Sequence, residues 1–202
     1  MSFYQEIAPY YHHIFKINAK QVDFIKFKIP ESDSKVLDIG CGEGETLSWL
    51  RSINKCEETF GIEMIEEAGS IAKTKIDHLV IGNIEEYDYS GEKFDLIICL
   101  YVLEHLIDPW AVLKKLVAQN LKNGGTVIAM IPNIRYYHVF LPLIFKGQWE
   151  YRNAGFLDRT HLRFFTKSSA KKLMAGAGLN VSDVLSNPVD VSRNVSLASK
   201  FT

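Results

Sequence analysis

The sequence predicts an α/β fold: a parallel-dominated sheet with helices on both faces, preceded by a helical cap and interrupted by a lid. Three observations carry this. Short apolar runs recur along the chain, the first stopped by glycines, as buried parallel strands require. Segments with apolar residues at helical spacing alternate with them. Alternation of this kind closes into one sheet covered on both sides. A chain of 202 residues is expected to hold them in one domain, 1–202.

Residues 17–29 read as an amphipathic helix with Val22, Ile25 and Ile29 on one face, ended by Pro30; with the residues before it, it forms a cap over 1–30. KVLDIG (35–40) is the first strand. Residues 44–54 follow as a helix with Leu47, Leu50 and Ile53 inward. TFGIE (59–63) and HLVIG (78–82) are the second and third strands, with a helix between them. FDLIICL (94–100) and TVIAMI (126–131) are the fourth and fifth. The helix before the fifth strand has Asp108 as N-cap and Pro109 in its first turn. Val112, Leu113, Leu116, Val117 and Leu121 repeat along it, and Gly124-Gly125 is expected to close it. Residues 133–165 break the rhythm and, rich in aromatics and arginines, read as an inserted lid. Thr166 or Ser168 caps a last helix, with Ala170, Leu173, Met174 and Ala177 on one face and Gly178 as its stop. LNVSDVL (179–185) is expected as a sixth strand.

Composition narrows the function classes. A formal net charge of −1 argues against nonspecific nucleic-acid binding, which usually needs a basic surface. No apolar run is long enough to span a bilayer. The opening MSFYQEIAPYYHHIF is aromatic and of mixed charge, unlike a secretory signal. Cys41, Cys56 and Cys99 are widely spaced and odd in number, so no disulfide framework is expected and a cytoplasmic location fits. Without a CxxC pair, no zinc site is expected either, and the sequence assigns no metal. Whether the chain is a monomer or a homodimer is left open.

Ligands in such sheets bind at the carboxyl ends of strands, where strand order reverses. After the first strand stands Asp38-Ile39-Gly40-Cys41-Gly42-Glu43-Gly44. Glycines here let the backbone approach a ligand, and the helix that follows points its N–H groups at it. A tight turn that binds nothing would need only one glycine. The dinucleotide pattern GxGxxG would put its third glycine at position 45, which is Glu45. Glu43 and Glu45 are poor company for a pyrophosphate, and suit a cationic ligand bearing an ammonium and a sulfonium. Asp38 adds a carboxylate for that ammonium. Glu63 ends the second strand, 25 residues beyond Asp38, where a carboxylate can accept both ribose hydroxyls.

VLDIGCGEGETL closely resembles the first motif of the class I S-adenosylmethionine (SAM)-dependent methyltransferases, and FDLIICLYVLEHLIDP resembles their fourth. The likeness is strong over residues 35–131 and returns in GFLDRTHLRFFTKSSAKKLMAGAGL, which is similar to the late segment of many small-molecule methyltransferases. It implies a Rossmann-like fold with SAM as cofactor. It further implies that Gly40, Cys41, Gly42 and Gly44 cradle SAM, that Met64 packs on the adenine, and that Leu100 and Tyr101 meet the methionine end. Gly82-Asn83-Ile84 follows the third strand; the family usually has Asp at Asn83, holding the adenine amino group, a task an amide oxygen can also perform.

Methyl transfer from a sulfonium is an in-line displacement, so the protein chiefly positions the acceptor. An oxygen acceptor usually also needs a base. His161, in Asp158-Arg159-Thr160-His161-Leu162-Arg163, is the first expectation, because the chain there returns from the lid to the sheet edge. His105 is the second; Asp158 either orients His161 or pairs with Arg159 or Arg163, and Tyr136 is a further candidate. Arg135, Arg152, Arg159 and Arg163 either hold an anionic group together or are solvated and paired singly. Tyr10 and Tyr11 close over SAM or pack in the core, and His12 and His13 are surface residues. The expected function is O-methylation of a small molecule, with a sugar, glycolipid or other natural-product hydroxyl as acceptor. The alternative is a SAM-binding regulatory protein without turnover.

Overall fold

The computed structural model describes residues 33–185. The expected cap over 1–30, with Tyr10, Tyr11, His12 and His13, and the last residues of the chain lie outside that span. Five strands form one sheet: β1 (Lys35–Ile39), β2 (Glu58–Glu63), β3 (His78–Ile81), β4 (Phe94–Leu100) and β5 (Leu121–Met130). Their order is β3-β2-β1-β4-β5 and every pairing is parallel. The chain runs outward from β1 through β2 to β3, then crosses back to start β4 on the other side of β1. The switch point therefore lies between the carboxyl ends of β1 and β4, which fixes where a ligand sits.

The helices are α1 (Glu45–Ser52), α2 (Glu66–Ala72), α3 (Pro109–Asn120), α4 (Tyr137–Lys146) and α5 (Lys167–Gly176). Alternate strand residues feed two apolar layers. Leu37, Ile39, Ile97 and Cys99 pack with Leu113, Leu116 and Leu173 on the α3–α5 face. Val36, Leu96 and Ile98 pack with Leu47, Leu50 and Ala72 on the α1–α2 face. The caps form as expected at both sites tested. Asp108 accepts from the Ala111 N–H, and Thr166, rather than Ser168, caps α5 in a reciprocal box with Ser169. All three cysteines are free and buried.

Two expectations are corrected. Gly124-Gly125 does not close α3. The helix stops at Asn120, whose side-chain amide donates to the Tyr89 and Glu92 carbonyls at 2.7 and 3.1 Å and turns the chain onto the sheet early. Strand β5 thus begins at Leu121, and the residues before Thr126 bulge out with Gly124 at φ +78°. Second, no strand forms over 179–185. The segment has the apolar alternation of a strand but no partner ladder, and Val184 and Leu185 stay exposed. The 133–165 interruption holds α4. Its ends are pinned by a bridge between Asn133 and Phe165, with the Ile134 N–H donating to the Phe165 carbonyl at 2.8 Å.

Candidate active site

The glycine loop is built at the switch point. Gly40, Gly42 and Gly44 all have left-handed φ, +67°, +56° and +82°, which explains why three glycines stand there. Their surroundings differ. A Cβ on Gly40 would press on Val102 at 3.1 Å and one on Gly44 on Ile76 at 3.2 Å, whereas nothing lies within 4 Å of one on Gly42. Gly42 is thus the glycine that faces open space. The loop N–H groups are spent within the fold: Gly40 and Cys41 donate to the Ile62 carbonyl at 2.9 and 3.1 Å, and Gly44 to the Cys41 carbonyl at 3.0 Å. The loop therefore offers a ligand room, while these donors serve the turn itself. The Cys41 side chain is buried in the α1–α2 layer, pointing away from the open side.

Glu63 holds this loop. Its carboxylate accepts the Gly42 N–H at 2.8 Å and the Ile65 N–H at 2.9 Å, tying the end of β2 to the turn after β1. Asp38 is buried beside it, and burial together with the Glu63 charge pushes the Asp38 carboxyl well above the usual carboxylate range. Two carboxyl groups crowded at the neighbouring ends of β1 and β2 suit a cation better than a polyphosphate. Met64 stands half exposed just past Glu63. Glu45 is paired with Lys75 at 2.6 Å, so it belongs to the surface and not to the ligand.

The next two strand ends complete the edge. Asn83 turns its Oδ1 back onto the Glu85 N–H at 3.0 Å, capping a local turn, while the neighbouring Ile84 is buried. Its expected role as an acceptor for an adenine amino group thus competes with a bond it already makes. Leu100 ends β4, and Tyr101 follows with φ +57°. A bulky residue held in the left-handed region is strained, and such strain concentrates at functional sites.

Past Tyr101 the chain forms a short 3₁₀ turn, Leu103–His105, against which the lid returns. The Glu104 carbonyl accepts both the Leu162 and Arg163 N–H groups at 2.9 Å. That double bond of the backbones places His161 against His105, ring centroids 4.8 Å apart. His105 donates through Nδ1 to the Thr160 carbonyl and His161 through Nδ1 to the Phe156 carbonyl, each at 3.2 Å. A carbonyl only accepts, so both rings carry their hydrogen on Nδ1 and keep the Nε2 lone pair. Burial lowers both imidazoles, His105 to about 4. Glu104 lies beside them, 1% exposed, with neither carboxylate oxygen hydrogen-bonded; burial pushes its pKa up to about 8.

Asp158 is corrected here. It does not orient His161: its Oδ1 accepts the Thr160 N–H and hydroxyl at 2.8 and 2.7 Å, while the Phe156 carbonyl fixes the imidazole. A carboxylate three residues before a histidine found the nearer partner in its own turn. The arginines do not form a joint clamp either. Arg163 donates to the Leu162 and Ile107 carbonyls and lies over Trp110, fastening the lid to the sheet edge, while Arg135, Arg152 and Arg159 are exposed. Tyr136 stacks on Phe156, centroids 4.5 Å apart, within the lid base.

A family model for the methyltransferase domain matches residues 10–184. The chain belongs to the class I SAM-dependent methyltransferases. The ubiquinone biosynthesis O-methyltransferase of Hydrogenovibrio crunogenus is 28% identical over 171 residues, 81% of this chain and 69% of that protein. The tRNA U34 carboxymethyltransferase of Campylobacter lari is 33% identical over 188 residues, 76% of this chain and 63% of that one. Among solved structures, a SAM-dependent methyltransferase of Thermotoga maritima, a possible histamine N-methyltransferase, superposes with TM-score 0.66 at 20% identity, covering 88% of this chain and 80% of that one. A SAM-dependent methyltransferase of Mesorhizobium loti gives 0.64 at 16% identity, over 91% and 93%.

The methyltransferase is an enzyme, and SAM is its methyl donor. The site fits that donor: open space over Gly42, the Asp38–Glu63 carboxylate pair for a cation, and half-exposed Met64 beyond them. No helix among the described residues is long and apolar enough to cross a membrane. Sequence reasoning brought His105, His161 and the glycine loop to one edge, and the structure does so too. It missed Glu104, which reads in sequence as an ordinary polar residue between Leu103 and His105. Its only signal was its neighbour: a residue flanking a candidate histidine in a tight turn past a buried strand is carried into the same pocket.

Proposed function

We propose that this methyltransferase transfers the SAM methyl group to a hydroxyl of a small molecule, held between the lid and the carboxyl edge of β1 and β4. The observation that carries the reading is the meeting of His105 and His161 beside the switch point, both neutral and both with the Nε2 lone pair unspent. When bound, SAM supplies an activated methyl on a sulfonium. The chain then has to hold the acceptor oxygen in line and meet its proton. His161, on the returning lid, takes the place nearest that proton, with His105 behind it. Asp158 acts one step removed, by holding Thr160, whose carbonyl anchors His105. Asp38 and Glu63 face the ammonium and ribose of SAM, Met64 and Ile84 the adenine, and Leu100 and Tyr101 the methionine end. Asn83 serves that adenine pocket through the turn it caps.

The name of the Hydrogenovibrio relative, an O-methyltransferase, supports oxygen as the acceptor atom. A sugar, glycolipid or other natural-product hydroxyl is our choice within that class. The Campylobacter relative acts on tRNA, but a net charge of −1 speaks against a polyanionic acceptor here. Three free, buried cysteines fit a cytoplasmic enzyme. SAM consumption screened over sugars, phenols and quinol precursors tests the reading. A turned-over hydroxyl acceptor, with His161→Ala slowing the reaction about 10²–10⁴-fold while SAM affinity holds, is the expected result. Turnover only on RNA or an amine would overturn it.

A further inference from the structure

Glu104, His105 and His161 meet at one point, one ligand atom from each lying within 4.8 Å of the others. Three independent features of this cluster need a common explanation. Both Glu104 carboxylate oxygens are buried without a hydrogen-bond partner, and so is Nε2 of His105. Such orphaned groups are rare because each forfeits its water without compensation. Second, both imidazoles are anchored by Nδ1–H to backbone carbonyls, Thr160 for His105 and Phe156 for His161. That arrangement holds a metal-ligating histidine in its tautomer and aims its other nitrogen. Third, the anchors come from the lid, so the cluster forms only because residues 156–163 fold back onto the turn after β4.

We propose that Glu104, His105 and His161 bind one divalent cation of the borderline class, such as Mn²⁺, Fe²⁺, Co²⁺ or Zn²⁺, through two imidazole Nε2 atoms and one carboxylate. Two nitrogens and one oxygen suit these ions better than Ca²⁺ or Mg²⁺, which prefer all-oxygen shells. Three protein ligands leave coordination positions open. The donors must draw together, since ligands about 2.0–2.2 Å from one ion stand about 3–3.5 Å apart. The inference rests on the proposed function only for its consequence. An ion here would lie at the acceptor end of the pocket, hold the acceptor oxygen and make its proton easier to lose to solvent. With the ion bound the imidazoles serve as ligands; in the ion-free enzyme His161 keeps the role of base proposed above.

The test uses the full chain, stripped with a chelator, and reads binding instead of turnover. Mn²⁺ is titrated by calorimetry and by electron paramagnetic resonance, and Co²⁺ by its visible spectrum, which separates nitrogen and oxygen ligation from thiolate ligation by the three cysteines. One ion per chain with a nitrogen–oxygen spectrum is expected. Glu104→Gln and His161→Asn should each weaken it by at least about 100-fold, more than the loss of an outer-shell partner costs. SAM binding, measured in parallel, reports that each variant is folded and that the methyltransferase reading stands by itself. Failure of the folded wild-type chain to bind any of these ions would overturn the site. So would an ion whose affinity is unchanged in a folded Glu104→Gln or His161→Asn variant, since it would then sit elsewhere. If one variant does not fold, the other decides. A methyl-transfer assay with and without chelator separates the two proposals: full turnover in a metal-free enzyme leaves the function standing and removes the ion from the chemistry.

Discussion

Replacing Glu63 with Gln tests the architecture of the cofactor end most sharply. The carboxylate accepts one N–H on each oxygen, from Gly42 and Ile65, at 2.8 and 2.9 Å. An amide has one acceptor oxygen; its NH₂ would face the other N–H donor. One charge-assisted bond is lost and two donors oppose each other, on a residue only 8% exposed. Loss of a hydrogen bond to a charged group costs about 1.5–3 kcal/mol. Part of that is recovered, because Asp38 no longer lies beside a second negative charge. If Glu63 holds the ribose diol as proposed, the diol loses an acceptor as well. SAM affinity should therefore fall by about 1–3 kcal/mol, about 5–150-fold. Isothermal titration with SAM, and with its demethylated product, measures it against a circular-dichroism control for folding. Affinity within twofold of wild type in a folded variant would show that Glu63 neither shapes the loop nor touches the ligand.

Gly42→Ala should cost about 1–2 kcal/mol of stability for its left-handed φ and also weaken SAM, because its methyl enters the open space above the loop. Gly124→Ala carries a similar strain at φ +78° on the far bulge and should leave SAM affinity alone; equal affinities in the two variants would sink the assignment. Hydrogen exchange should show α4 opening faster than β4, since Tyr137, Phe140, Leu141, Leu143, Ile144 and Phe145 remain exposed there, and equal protection would argue against a mobile lid. Asp77 gives a pH test away from the site. Its carboxyl is pushed up by burial but held lower on balance by hydrogen bonds from Thr59 and the charge of Arg51. A lowered folded pKa stabilises above the unfolded value of 3.8 and loses that contribution as pH falls through the folded value. Asp77→Asn should thus destabilise at pH 7, and the gap to wild type in urea melts should begin to close only as pH falls below 3.8 and vanish below the lowered folded value; a constant gap would refute the linkage.

The central sheet was legible because burial on both faces forces continuous apolar runs, and FDLIICL or KVLDIG cannot be much else. The glycine loop was legible because left-handed turns select residue type directly. What failed did so where a distant partner decides the outcome. LNVSDVL has the alternation of a strand, but pairing is a property of two segments, and the described sheet offers it none. Asn120 ended α3 four residues ahead of Gly124 by reaching two carbonyls in the 89–92 turn, a contact no local rule anticipates. Spacing suggested that Asp158 would serve His161, yet an aspartate two residues before a threonine finds that N–H and hydroxyl first. Glu104 was passed over because a lone glutamate is almost always solvated, and only the returning lid removes it from water.

The two halves of the site differ in charge for one physical reason. SAM brings positive charge on its ammonium and sulfonium, and the carboxylates that can offset it, Asp38 and Glu63, lie at the ends of β1 and β2. The acceptor half proposed above must not add more positive charge next to that sulfonium. Two histidines there would do so if protonated. Burial prevents it: His105 is held neutral down to about pH 4, and His161 is shifted the same way. The same burial raises the Glu104 carboxyl to about 8, so that an ion-free pocket near neutral pH is largely uncharged. A neutral pocket costs least to close over a neutral hydroxyl acceptor, and it leaves two Nε2 lone pairs unspent. Any group that takes them, a proton leaving the acceptor or a cation compensated by Glu104, meets a charge state the fold has already prepared. That links the folded-back lid and the twin carbonyl anchors: together they place the two lone pairs, and neither adds a charge.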